Sequence, residues 1–180
     1  THQPSPKIDD WPRAAVSVVE VETATVRPLA ATRAVEGEAH YSPDGKWIAL
    51  TVSEEPPTWR RRDRVALLPA EGAGAPKRLA ATFDEQPRIL GFTPDAKRVL
   101  VAETHRTVTS LAAVPVDGSA VQDLTPADMM VDGLNLNARG THLGFTSQAP
   151  DRPAEAFVSP AGSFAPAQVS HVQDLPKLPF

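Results

Sequence analysis

The residue types best suited to chemistry gather in one charged segment, Glu54-Glu55-Pro56-Pro57-Thr58-Trp59-Arg60-Arg61-Arg62-Asp63-Arg64. Guanidinium groups grip carboxylates through paired, charge-assisted hydrogen bonds. Arg60, Arg61 and Arg62 therefore suit a peptide carboxylate or the acidic side chains of a neighbouring domain. The same residues also make sense as a solvated basic loop with local Glu–Arg pairing, each pair worth under about 1 kcal/mol. Trp59 either packs beneath this loop or presents an aromatic face at an opening. His105-Arg106 closes a later apolar run and either faces the same rim or ends a solvated hairpin.

Nothing in the chain assembles a nucleophile. There is no Gly-x-Ser-x-Gly turn, so the strained strand-to-helix elbow that exposes a catalytic serine has no sequence to build it. Gly118-Ser119 and Gly162-Ser163 read as hairpin-turn serines. The five histidines are scattered without a His-Glu-x-x-His spacing and cysteine is absent, so no metal ligand set and no cofactor is expected. A sugar-cleaving carboxylate pair, about 5–9 Å apart, is nominated by nothing here.

The elements that hold these residues are legible from an internal repeat. Tyr41-Ser42-Pro43-Asp44-Gly45-Lys46-Trp47-Ile48-Ala49-Leu50 returns as Phe92-Thr93-Pro94-Asp95-Ala96-Lys97-Arg98-Val99-Leu100-Val101. It returns again as Leu136-Asn137-Ala138-Arg139-Gly140-Thr141-His142-Leu143-Gly144-Phe145. A tight turn entering a buried strand, repeated at roughly 40–50 residues, is the signature of small sheets arranged radially, a β-propeller. Pro43 and Pro94 preset the first turn corner, and Asp44 and Asp95 accept hydrogen bonds from backbone just ahead. Gly45 and Gly140 supply the positive φ with which such a turn re-enters a strand. Ala96 stands where a glycine is wanted and costs about 1 kcal/mol if its backbone is left-handed.

The expected fold class is all-β, a partial propeller of four-stranded antiparallel blades with about three and a half blades present. An extended segment (1–13) leads into a half blade (14–34) with strands Ala15–Glu22 and Thr25–Leu29. Three blades follow at 35–82, 83–127 and 128–170. Their strands are Gly37–Tyr41, Trp47–Ser53, Arg64–Pro69 and Pro76–Ala80; then Pro87–Phe92, Arg98–Glu103, Ser110–Val116 and Val121–Leu124; then Val131–Leu136, His142–Thr146, Glu155–Ser159 and Ala167–Ser170. Trp47 and Phe145 are expected in the core. Residues 171–180 read as an exit linker towards a missing domain. A compact four-bladed ring with one truncated blade is the alternative.

Composition narrows the function classes. Eighteen basic and 22 acidic side chains leave a mildly acidic chain with no global field for nucleic acid. No apolar run approaches the ~18 residues needed to insert in a membrane. Nineteen prolines among short apolar runs argue against a helical protein. A missing cysteine framework leaves the compartment open, so a soluble protein of the cytoplasm, or of the periplasm or secreted space, fits equally.

The SPDGKWIAL and TPDAKRVLV units resemble the blades of TolB-like proteins and of prolyl oligopeptidase-type (family S9) serine peptidases. They do not resemble WD40 repeats. The closing stretch Val169-Ser170-His171-Val172-Gln173-Asp174-Leu175-Pro176 is similar to the place where an S9 propeller hands over to its α/β-hydrolase domain. The resemblance implies a non-catalytic propeller that caps a hydrolase domain of the same parent protein and gates short peptides, the Ser-Asp-His triad lying elsewhere. With no nucleophile elbow and an incomplete ring, the chain alone is expected to hydrolyse no peptide. Glu54-Glu55 is similar to the paired glutamates with which dipeptidyl-peptidase members hold a substrate amine, though the flanking aromatic pattern is missing. A TolB-like scaffold for protein binding is the alternative implied by the same blades.

Overall fold

A computed structural model describes residues 1–30, 32–72 and 74–172. Its strands follow in chain order as β1 (Ser17–Val19), β2 (Val26–Pro28), β3 (Glu36–Tyr41), β4 (Trp47–Ser53), β5 (Asp63–Pro69), β6 (Lys77–Arg78) and β7 (Arg88–Phe92). They continue as β8 (Arg98–His105), β9 (Val108–Pro115), β10 (Gln122–Asp123), β11 (Met130–Leu136), β12 (His142–Ala149), β13 (Arg152–Pro160) and β14 (Ala167–Gln168). Consecutive strands pair antiparallel as up-and-down meanders: β1-β2, then β3-β4-β5-β6, then β7-β8-β9-β10, then β11-β12-β13-β14. This is a partial propeller, and every strand expected from the sequence overlaps an observed one.

The turns work as their residues dictate. The Ser42 hydroxyl donates to Asp44 (2.6 Å) and accepts from the Trp47 N–H (3.0 Å), while Asp44 accepts from the Lys46 N–H (3.2 Å). Thr93 and Asp95 repeat all three bonds with Arg98 and Lys97. In the third copy one side chain replaces two, because Asn137 Oδ1 accepts from the N–H groups of both Thr141 (2.8 Å) and His142 (3.2 Å). Gly45 (φ 69°), Ala96 (φ 56°) and Gly140 (φ 65°) occupy the same left-handed corner, so Ala96 does bear the penalty its side chain implies.

Alternation along each strand sorts side chains between neighbouring blades. From β4, Ile48, Leu50 and Val52 face the half blade with Val16 and Leu29, whereas Ala49 faces β8 and β9 beside Val99, Val101 and Val114. From β8, Leu100 turns the other way, towards Leu134, Leu143 and Phe145 of the third blade. Strands covered on both faces thus read as unbroken apolar runs. In β12 burial alternates instead: Leu143 and Phe145 are buried, Gly144 and Thr146 exposed, because the third blade is covered on one face only.

Three local features depart from the expectations. The 1–13 segment is not simply extended, since Ile8–Arg13 winds into a 3-10 helix. The Asp10 carboxylate draws it together by accepting from the Ser5 hydroxyl and Arg13, and both partners hold its pKa below the usual carboxylate range. Trp47 is not core: it is the first residue of β4, at the strand's end, and is 43% exposed. Phe145 is buried and stacks on Phe157 (ring centroids 5.8 Å apart) and Phe164 (5.7 Å). The second and third blades are not separate sheets. β10 covers only Ala112 and Ala113 of β9, and Val131 at the start of β11 takes the place left open beside Thr109. The exit linker lies outside the described residues from 173 onward.

Each inner strand also carries a β-bulge that the sequence reading had not placed, between Gly37 and His40, Ile89 and Gly91, and Asp132 and Asn135. Bulges re-aim side chains and increase local twist. Here they accompany ties from blade to blade: Glu38 Oε2 accepts from the Ile89 N–H at 2.6 Å, and Arg88 Nη2 donates to the Leu134 carbonyl at 2.9 Å.

Candidate functional site

Because the blades are antiparallel meanders, the β4–β5, β6–β7, β8–β9, β10–β11 and β12–β13 connections and the end of β14 all fall at one end of the propeller. The candidate residues lie on this rim. They are the loop between β4 and β5 (54–62) and the β8–β9 hairpin with His105 and Arg106.

Glu54 organises the loop. Its Oε1 accepts from the Thr58 hydroxyl (2.5 Å) and N–H (3.2 Å), and its Oε2 accepts from the Arg62 N–H. The Thr58 hydroxyl first, then these backbone donors, lower its pKa to about 2. Both oxygens are therefore occupied within the loop, while Glu55 is exposed and makes no polar side-chain contact among the described residues.

The arginines divide by role. Arg61, at φ 40°, closes on the Asp63 carboxylate, whose side chain is 10% exposed. Arg64 Nε lies 3.3 Å from Glu85 Oε2. Arg60 and Arg62 are exposed, and their guanidinium groups have no ion-pair partner among the described residues. Trp59 packs edge-to-face on Trp11 (5.4 Å, 80°) and is otherwise 76% exposed, so it latches the N-terminal 3-10 helix to the loop rather than lying beneath it.

A second loop, 81–87, joins these residues to His105. Buried Glu103 accepts from the Thr82 hydroxyl (2.5 Å) and from the N–H groups of Gln86 (2.9 Å) and Asp84 (3.1 Å). That holds Gln86 where its Nε2 donates to the Arg60 carbonyl at 3.1 Å. Phe83 stacks on the His105 ring at 3.8 Å and 26°. A cavity of about 490 Å³ between the two loops is lined by Thr58, Arg60, Arg62, Phe83 and Gln86 among others. On the far side of the stack, His105 and Arg106 border a cavity of about 530 Å³ with Asp123 and Met129. Met129 and Pro126 also line a third, of about 380 Å³, with Arg152 and Phe157.

The rim is thus a run of shallow cavities, with two unpaired guanidinium groups at one end and aromatic and aliphatic floors along it. Chemically it can bind a carboxylate and apolar side chains. Among the described residues no three His, Asp or Glu side chains gather as a metal site, and no helix is long and apolar enough to cross a membrane. Phe83, Gln86 and Glu103 were not singled out from sequence. Glu103 carried the one available signal, a carboxylate inside an otherwise apolar strand that demands polar partners when buried.

No protein-family model matches the chain, and no curated protein does. Solved structures match its fold at low identity. TolB from Acinetobacter baumannii superposes with a TM-score of 0.62 at 15% identity, over 86% of this chain and 37% of that one. A structure from a study of two prolyl endopeptidases gives 0.58 at 12%, over 88% and 26%. Porphyromonas gingivalis dipeptidyl peptidase 4 gives 0.58 at 14%, over 87% and 30%. The chain therefore spans well under half the length of each of these proteins. Repeat, topology and these likenesses converge on one conclusion: the chain folds as part of a β-propeller, of the architecture found in TolB and in peptidase propeller domains.

Proposed function

We propose that this chain is the non-catalytic propeller segment of an S9-type serine peptidase, packing against an α/β-hydrolase domain of the same parent protein and gating short peptides. The observation that carries the reading is the gathering of Arg60, Arg62, Phe83 and His105 on a single rim. It is also the end at which β14 leaves the last blade. A hydrolase domain reached from that end would close over the rim cavities. Arg60 and Arg62 would then contact either a peptide carboxylate or acidic groups of the apposed domain.

Sequencing the parent reading frame beyond Phe180 tests this. A Gly-x-Ser-x-Gly elbow followed by Asp and then His supports it, and an immediate stop codon overturns it. The second reading is a TolB-like protein-binding scaffold, favoured by the superposition on TolB over most of the chain. It expects a stable partner retained by the purified chain and no hydrolase domain downstream.

A further inference from the structure

We infer that the cavity between the β4–β5 and β6–β7 loops binds the C-terminal residue of a peptide when that residue is aromatic, its ring on Phe83 and its carboxylate between Arg60 and Arg62. This deepens the peptide-gating role proposed above and depends on that reading for the ligand being a peptide. Both walls of the cavity are fixed before any ligand arrives. Glu54 gathers the first loop around its carboxylate, and buried Glu103 gathers the second. The two loops are also tied to each other. The Asp63 N–H donates to the Glu85 carbonyl at 2.6 Å, and Gln86 Nε2 donates to the Arg60 carbonyl at 3.1 Å. Each wall holds one left-handed residue other than glycine, Arg61 at φ 40° and Glu85 at φ 53°. Such backbone is costly and gathers at ligand sites, where surrounding contacts hold it in place. Here the contacts are Arg61 on Asp63 and Glu85 on Arg64.

The lining selects the ligand. Those same two ion pairs neutralise Arg61 and Glu85. Arg60 and Arg62 remain, against the single carboxylate of Asp84, which has no ion-pair partner among the described residues. One positive charge is therefore in excess. A carboxylate balances it, and two guanidinium groups can engage both of its oxygens. A phosphate dianion would instead overshoot the balance and be repelled by Asp84. The aromatic preference comes from Phe83. His105 covers one face of its ring at 3.8 Å. Phe83 lines this cavity, whereas His105 lines the next one. The second face of the ring is thus left on the cavity side, and Phe83 is 61% exposed. An open ring face beside a carboxylate site suits a second aromatic ring, stacked or edge-on. A C-terminal phenylalanine, tyrosine or tryptophan carries both groups on one residue, and about 490 Å³ accommodates it.

The probe is acetyl-glycyl-phenylalanine, titrated into the 180-residue chain while the amide chemical shifts of Arg60, Phe83 and Gln86 are followed. Saturable shifts are expected, with a Kd of about 0.1–1 mM. The C-terminal amide of the same peptide should bind at least about tenfold more weakly, and acetyl-glycyl-alanine about tenfold more weakly. Phe83→Leu, at a side chain already exposed, should erase the preference for phenylalanine over alanine. Arg60→Gln with Arg62→Gln should erase the preference for the free acid over the amide. The reading frame beyond Phe180 tests the parent peptidase without reference to these shifts, so the two ideas fail separately. Equal binding of acid and amide, equal binding of the phenylalanine and alanine peptides, tighter binding of inorganic phosphate than of the peptide, or no shift at about 10 mM peptide overturns the inference.

Discussion

Glu38 and Ile89 are joined across a blade boundary: the carboxylate of one inner strand accepts the backbone N–H of the next at 2.6 Å, from a residue held at φ 48°. A left-handed glutamate costs roughly 1 kcal/mol, and its bulge aims the side chain at the neighbouring blade. Replacing Glu38 with Ala keeps the backbone cost and leaves the N–H of buried Ile89 without its acceptor. The expected loss is about 1–3 kcal/mol in denaturant unfolding. Glu38→Gly relieves the backbone and is expected to be milder by about 1 kcal/mol.

Ala96 and Gly45 allow a reciprocal test of one turn. Ala96→Gly is expected to stabilise the protein by up to about 1 kcal/mol, and Gly45→Ala to destabilise it by a similar amount. Equal unfolding midpoints for Ala96→Gly and the parent would show that the φ of 56° is not a strained one.

The arginines of the β4–β5 loop are expected to separate stability from binding. Arg60→Ala with Arg62→Ala leaves stability within about 0.5 kcal/mol, since neither guanidinium has an ion-pair partner among the described residues. On the proposed function it weakens binding of a peptide carboxylate or of the hydrolase domain, read by titration calorimetry. Arg61→Ala instead strands the nearly buried Asp63 carboxylate and is expected to cost about 1–3 kcal/mol.

Glu54 makes the loop acid-resistant. Its folded pKa of about 2 lies below the ordinary glutamate value of 4.5. Its contribution is therefore complete above about pH 4.5 and is lost as pH falls through about 2. Exchange of the Arg62 amide should stay slow down to about pH 3 in the parent chain. In Glu54→Gln, which lacks the charge and one acceptor oxygen, it should be fast throughout.

Asn137 does alone what Ser42 and Asp44 do together. Asn137→Ala removes the acceptor of two N–H groups and is expected to cost about 1 kcal/mol. Asn137→Asp keeps the acceptor oxygen and should recover most of it. Thermal unfolding of the two variants side by side checks the order.

The propeller, its strands and its turns are readable from the residues alone, because these rest on local chemistry. A Ser/Thr-Pro-Asp turn with a left-handed corner is written within six residues, and alternation within a strand announces which faces are covered. The missing nucleophile elbow was legible for the same reason. What the charged side chains do depends on contacts between distant parts of the fold. Glu54 folds back onto its own loop, Arg61 is absorbed by Asp63, and Phe83 reaches His105 from the β6–β7 loop, which Glu103 fixes. Trp47 shares the pattern of its buried strand, but its place at the strand's first residue exposes it. The inner-strand bulges follow the same rule. They answer to the neighbouring blade, whose position depends on packing between residues some fifty apart in the chain, as Glu38 and Ile89 are.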